Sequence, residues 1–130
     1  MIILGRITKQ IEKETNGLIK SAEIRIDDYH LNLHIPKEHE KELSNLGLNA
    51  LEYARYIIEN FTEIRQGKGT SYLLVAKHKT NIKLKNIAAI GMEWMSEKTD
   101  KGEDYYWNIY TMQPRQANRI SKLKLYWRKK

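Results

Sequence analysis

The sequence predicts an α+β domain in which helices precede a small antiparallel sheet. Three patterns predict it. From Ala50 onward, apolar residues recur at helical spacing, at Leu51, Ala54, Ile57, Ile58 and Phe61. Later, three apolar or β-branched segments (72–77, 82–95 and 105–112) are separated by connections of four and nine residues. Strands so joined pair most simply as an antiparallel meander. The helical patterns come before these strands, which is the order of an α+β chain.

At 130 residues, 41% hydrophobic and 30% charged, the chain has room for one core and not for two. Its apolar runs fall short of the ~18 residues of a membrane span. The opening "MIILG" is too short for a signal-peptide core, and "RITKQIEKET" follows it directly. With no cysteine there is no disulfide framework, no thiolate metal site and no thiol nucleophile.

The elements follow in order. "GRITKQIEKETNGLIKSAE" begins with helix-favouring residues and breaks at "TNG". Residues 1–28 are therefore expected as a helix or an N-terminal extension, and residues 29–130 as the single domain. From Tyr29 to Ile35 apolar and polar residues alternate, the pattern of a half-buried strand. Pro36 suits the first turn of a helix, "PKEHEKELSNL", that ends at Gly47. Asn49 is a good N-cap for "ALEYARYIIENF", with Ile64 closing its core face. "RQGKGTS" is a glycine turn into the strand "YLLVAK", and "HKTN" is a second turn that puts His78 at the surface. The strand "IKLKNIAAIGMEWM", the polar turn "SEKTDKGED" and the strand "YYWNIYTM" follow, with Trp107 and Ile109 facing the core. "QPRQANRISKLK" reads as a loop and short basic helix, and "LYWRKK" as a tail.

The net charge of +7 is unevenly distributed. Residues 64–92 hold six basic groups and 113–130 hold seven, and neither segment contains a carboxylate. The remaining residues are net acidic. Such segregation suits a polyanion partner; a basic tail that only aids solubility is the bland alternative.

Three of the four histidines, His30, His34 and His39, fall within ten residues. On a strand, His30 and His34 would lie ~13 Å apart, too far to share an ion. His34 and His39 straddle Pro36, and no "HExxH" is present. A metal is therefore not expected. The open readings are polar residues on a solvated edge, or acid–base chemistry. Cleavage of RNA by its own 2′-hydroxyl needs one base, one acid and positive charge around the phosphorus. It needs neither metal nor cofactor. His34 and His39, Arg65 and Lys68, Thr70 and Ser71, and Tyr110 and Thr111 offer those parts.

The segment "HIPKEHEKELSNLGLNALEYARYIIENFTEIRQGKGTSYLLVAKH", with the later "YYWNIYTMQPRQANRISKLKLYW", resembles the barnase–EndoU–colicin–RelE-like nuclease domains. It looks closest to those of phage polyvalent proteins and of polymorphic or contact-dependent toxins. His34-Ile35 and His39 match the "HI…H" element, while Arg65, Gly67 and Lys68 match the basic turn. Thr111, Pro114 and Arg115 match the last element, with "TMQPR" departing from a small residue after the Thr. The resemblance covers about residues 29–127. It implies a barnase/RelE-like arrangement of N-terminal helices on a small sheet, and a metal-independent RNase of toxin type, often a tRNase.

On that reading His34, His39, Arg65 and Thr111 are the catalytic candidates, with His30 an alternate to His34. Lys68, Ser71, Tyr110, Arg115 and Arg119 are the substrate-binding candidates. The expected partners are RNA, tRNA foremost, and a cognate immunity or antitoxin protein. The expected site of action is the cytoplasm, the domain acting alone or as the C-terminal part of a larger delivered or phage protein. The alternative is a non-catalytic nucleic-acid-binding module of phage or mobile-element origin, in which the histidines are idle.

Overall fold

The structure is a computed structural model that describes residues 1–34 and 49–130, with Leu33 and His34 described in their backbone only. Its strands are β1 (Ile2–Ile7), β2 (Ala22–Ile26), β3 (Phe61–Gln66), β4 (Tyr72–Lys77), β5 (Leu84–Trp94), β6 (Tyr105–Gln116) and β7 (Leu125–Arg128). Its helices are α1 (Lys9–Glu14), α2 (Ala50–Asn60) and α3 (Ala117–Ile120), with a π-helical turn at His30–His34. The seven strands form one curled mixed sheet in the order β1-β2-β6-β5-β4-β3-β7. Neighbours run antiparallel except β2 and β6, which are parallel. The fold is α+β, and β4, β5 and β6 form the meander that the short connections require.

α2 starts where Asn49 closes a capping box. Its Oδ1 accepts from the Glu52 N–H at 2.8 Å, and Glu52 Oε1 accepts from the Asn49 N–H at 3.3 Å. The two bonds satisfy two backbone donors at the helix start. Tyr53, Ala54 and Ile57 of α2 are fully buried against Ile24, Ile26, Ile64, Leu74, Ile90, Trp107 and Ile109 on one sheet face. Each such large apolar side chain contributes roughly 1.5–3 kcal/mol on burial. A smaller cluster of Leu73, Val75, Ile87 and Ile120 lies apart from this core. It is where α3 folds back onto the other sheet face.

Several expectations are corrected. Residues 1–28 supply β1, α1 and β2, so most of that stretch belongs to the sheet and its core. Tyr29 to His34 is not a strand. Asp27 turns the chain there, its Oδ1 and main-chain oxygen accepting from the N–H groups of His30 and Leu31 at 2.8 and 3.0 Å. Leu31 is buried while Tyr29 is 58% exposed, so the alternation does not mark one face. Helix α2 ends at Asn60, and Phe61 to Gln66 continues as β3 rather than as helix and turn. "LYWR" is an edge strand and not a tail. His78 is buried, its Nδ1 accepting from the Asn81 N–H at 3.0 Å to close the turn. The segment "PKEHEKELSNL" lies outside the described residues.

One irregularity positions the site. Ala89 pairs with Thr111 but Ile90 pairs with Ile109, so Tyr110 is an extra residue in β6. The β-bulge reverses the alternation of β6. Trp107 and Ile109 before it and Met112 after it all face the core. Thr111 is thereby turned to the opposite face.

Candidate functional site

On that opposite face lies a cavity of about 750 Å³. Leu73, Ile87, Ala89, Gly91, Met92 and Leu123 give it an apolar floor. The loop from Gln66 to Ser71, together with Tyr110, Thr111 and Arg115, supplies its polar rim. Lys68, Ser71, Tyr110, Thr111 and Arg115, five of the sequence-predicted site residues, therefore line one cavity.

The loop is built to turn sharply. The Gly67 N–H donates to the Ser71 main-chain oxygen at 3.1 Å, and Gly69 has φ 57°. A Cβ on Gly67 would lie 2.5 Å from the Ser71 Oγ. That hydroxyl donates to the Lys68 carbonyl at 2.6 Å, so Ser71 shapes the loop while the Lys68 side chain stays exposed. Arg115 is steadied by Gln113. With the amide turned to present its oxygen, that atom accepts from Arg115 Nε at 3.0 Å and Nη2 at 2.9 Å.

Tyr110 joins the cavity to a second polar group. Its hydroxyl donates to Glu93, and its ring meets the His30 ring edge-on, with centroids 5.6 Å apart. Burial, and then the hydrogen bond to Glu93, push the Tyr110 phenol well above its ordinary pKa, so it stays neutral. The His30 Nδ1 lies 2.8 Å from Asp27 Oδ1 and 2.9 Å from Oδ2. Asn108 Nδ2 donates to Asp27 Oδ2 at 3.1 Å. Burial raises the Asp27 pKa. The hydrogen bonds from the His30 N–H, the His30 ring and Asn108 outweigh it and hold the carboxyl below its ordinary value. A carboxylate on Nδ1 fixes the tautomer and leaves proton exchange to Nε2.

The remaining predicted residues are not gathered there. Arg65 is buried. Its Nε donates to Glu63 Oε1 at 2.9 Å and its Nη1 to the Leu123 main-chain oxygen at 2.7 Å, tying the segment before β7 to β3. It holds the fold together and does not line the cavity. Arg119 is exposed on α3, away from the cavity lining. His39 and the side chain of His34 lie outside the described residues. Among the described residues no three His, Asp or Glu side chains are grouped to hold a metal ion, and no helix is long and apolar enough to cross a membrane.

Sequence reasoning missed Asp27, Glu93, Gly91 and Asn108. A sequence signal pointed to Asp27 alone. Asp27 stands three residues before His30, the spacing of a side chain that caps its own turn. Asn108 is a buried amide in the middle of an aromatic strand, and its Oδ1 has no hydrogen-bond partner among the described residues. No protein-family model, curated protein or solved structure matches the chain.

Proposed function

We propose that the cavity face is the active site of a metal-independent endoribonuclease of toxin type, related to the barnase–EndoU–colicin–RelE-like domains, with tRNA as substrate. The observation that carries this reading is the Asp27–His30–Tyr110 chain of contacts beside a cavity rimmed by Lys68, Thr111 and Arg115. Nothing but the chain's own side chains is required. His30 Nε2 transfers one of the two protons, either from the attacking 2′-hydroxyl or to the departing 5′-oxygen. Lys68 and Arg115 balance the charge that builds on the non-bridging oxygens, and the Thr111 hydroxyl shares that task. His34 and His39 are the candidates for the second proton. The neutral Tyr110 phenol walls the His30 ring rather than acting as a base. A cytoplasmic site of action and a cognate inhibitor belong to the same reading.

The test is incubation with total tRNA in excess EDTA, with products resolved on a gel. Discrete products with 2′,3′-cyclic phosphate ends are expected. His30→Ala should lower the rate by about 10²-fold or more, the usual scale of acid–base contributions, while RNA affinity holds. Intact tRNA that still shifts on a native gel would replace this reading with a non-catalytic RNA-binding module, which the basic rim of the cavity serves equally well.

A further inference from the structure

Lys77, Lys85 and Arg115 stand opposite one another on three neighbouring strands. Lys77 pairs with Lys85 across β4 and β5, and Lys85 pairs with Arg115 across β5 and β6. Directly paired residues point to the same face with their Cβ atoms ~5 Å apart. The row therefore spans roughly 10 Å across the sheet. It lies on the cavity face, because the intervening Ala76 belongs to the main core and Asn86 accepts from the Tyr53 hydroxyl of α2. Arg115 is at the cavity wall, and Lys85 lines the adjoining groove beneath α3.

Like charges placed directly opposite destabilise a sheet. Among the described residues, no carboxylate forms an ion pair with Lys77, Lys85 or Arg115. Glu63 lines the same groove as Lys85, but its carboxylate is held by Arg65 and Arg128. Arg128 and Lys130 near the C-terminus differ in this respect, since they pair with Glu63 and Glu14. The row is a line of positive charge that begins at the cavity.

We propose that Lys77, Lys85 and Arg115 are the track for the sugar–phosphate backbone of a single RNA strand that leaves the cavity across β5 and β4. The proposal rests on the reading of this face as an RNA site and adds the form of the substrate. The apolar cavity floor suits a base that is out of its stack, which single strands present and duplexes do not. The cations then hold about two phosphates beyond that nucleotide. A dinucleotide in the cavity meets Arg115 but is too short to reach Lys77 and Lys85.

The test is fluorescence anisotropy with a labelled 12-nucleotide 2′-O-methyl oligouridylate, which binds without being cut, as a function of salt. The comparison is wild type against the K77Q/K85Q double variant. The expected result is at least about a tenfold loss of affinity and a log–log salt slope shallower by about 1.4, which is two single-strand phosphate contacts. The Tm should be equal or higher, because a repulsion has been removed, and binding of a 2′-O-methyl dinucleotide should not change. An unchanged slope, or a double variant that loses affinity for a duplex as strongly as for the single strand, overturns the track. Cleavage of tRNA separates this from the broader reading. A protein that cuts RNA but shows no slope change loses the track and keeps the nuclease. One that shows the slope change but cuts nothing keeps the track and loses the nuclease.

Discussion

The ring of Tyr110 occupies the space that a side chain at Gly91 would need. A Cβ there would lie 2.3 Å from the ring Cε2 and 3.0 Å from the hydroxyl oxygen. Gly91 pairs with Asn108, next to the bulge, and so the absence of one methyl group sets where the cavity wall stands. Alanine is ordinarily the better strand residue, but here the clash decides the sign. Gly91→Ala should cost about 1–3 kcal/mol, the range for overpacking, in urea denaturation. The same substitution in a Tyr110→Ala background should cost far less, because the two changes share a contact. Equal costs in both backgrounds would place the ring elsewhere.

Asp27 makes stability depend on acid. Burial alone would raise its pKa, but its bonds to His30 and Asn108 lower it below the ordinary 3.8. A carboxyl with a depressed folded-state pKa stabilises the protein above its unfolded value, and that contribution is lost as pH falls through the folded value. Denaturation midpoints should therefore drop on acidification below about pH 4. Asp27→Asn should flatten part of that drop and cost stability at neutral pH. An identical acid limb in the variant would show that Asp27 is not held as described.

Arg65 should behave as a structural residue. Removing the guanidinium leaves the Leu123 carbonyl without its donor and reduces Glu63 to its partner Arg128. Arg65→Ala should cost about 3 kcal/mol, the lower end for breaking a buried ion pair. Arg65→Lys should recover little, because an ammonium cannot make the forked contact. RNA affinity per folded molecule should not change. A variant that folds normally and loses only RNA cleavage would return Arg65 to the catalytic set.

Tyr53 and Asn86 link α2 to β5 through a buried hydrogen bond of 2.7 Å. Tyr53→Phe removes the donor and leaves the amide oxygen buried. The expected loss is about 1–3 kcal/mol, the desolvation cost of an unsatisfied group, read as a fall in the urea midpoint. No fall would mean that another group takes up the Asn86 oxygen.

What the sequence showed and what it hid have separate physical causes. The helix at Ala50–Asn60 was legible because a capping residue and an apolar stripe agree, and β4, β5 and β6 because short turns separate strongly β-forming runs. β3 was hidden because Phe61 and Ile64 continue the helical spacing even though the backbone has already become extended at Phe61. β1 was hidden by its short run and by the helical character of α1 directly after it. The parallel pairing of β2 with β6 joins residues more than 80 positions apart, and no local pattern encodes it. The turn at His30 mimicked a strand because alternation was read without the Asp27 side chain that bends the chain. Of the site, the cavity rim was legible as residue types near glycines and at the end of a strand. Asn108 was not, since its bond to Asp27 depends on that unpredicted pairing.

The extra residue at Tyr110 divides β6 into two segments of opposite phase. The residues before it set the core with Trp107 and Ile109, and those after it send Thr111 and Arg115 outward while Met112 takes over inside. Were the strand instead paired residue for residue through Tyr110, without the bulge, its second half would turn inside out, with Thr111 in the core and Met112 outside. The cavity's chemistry is thus tied to the register of β6 as firmly as to the identities of its residues. Homologous chains that keep every side chain but pair this strand without the bulge would be expected to fold with a blank outer face.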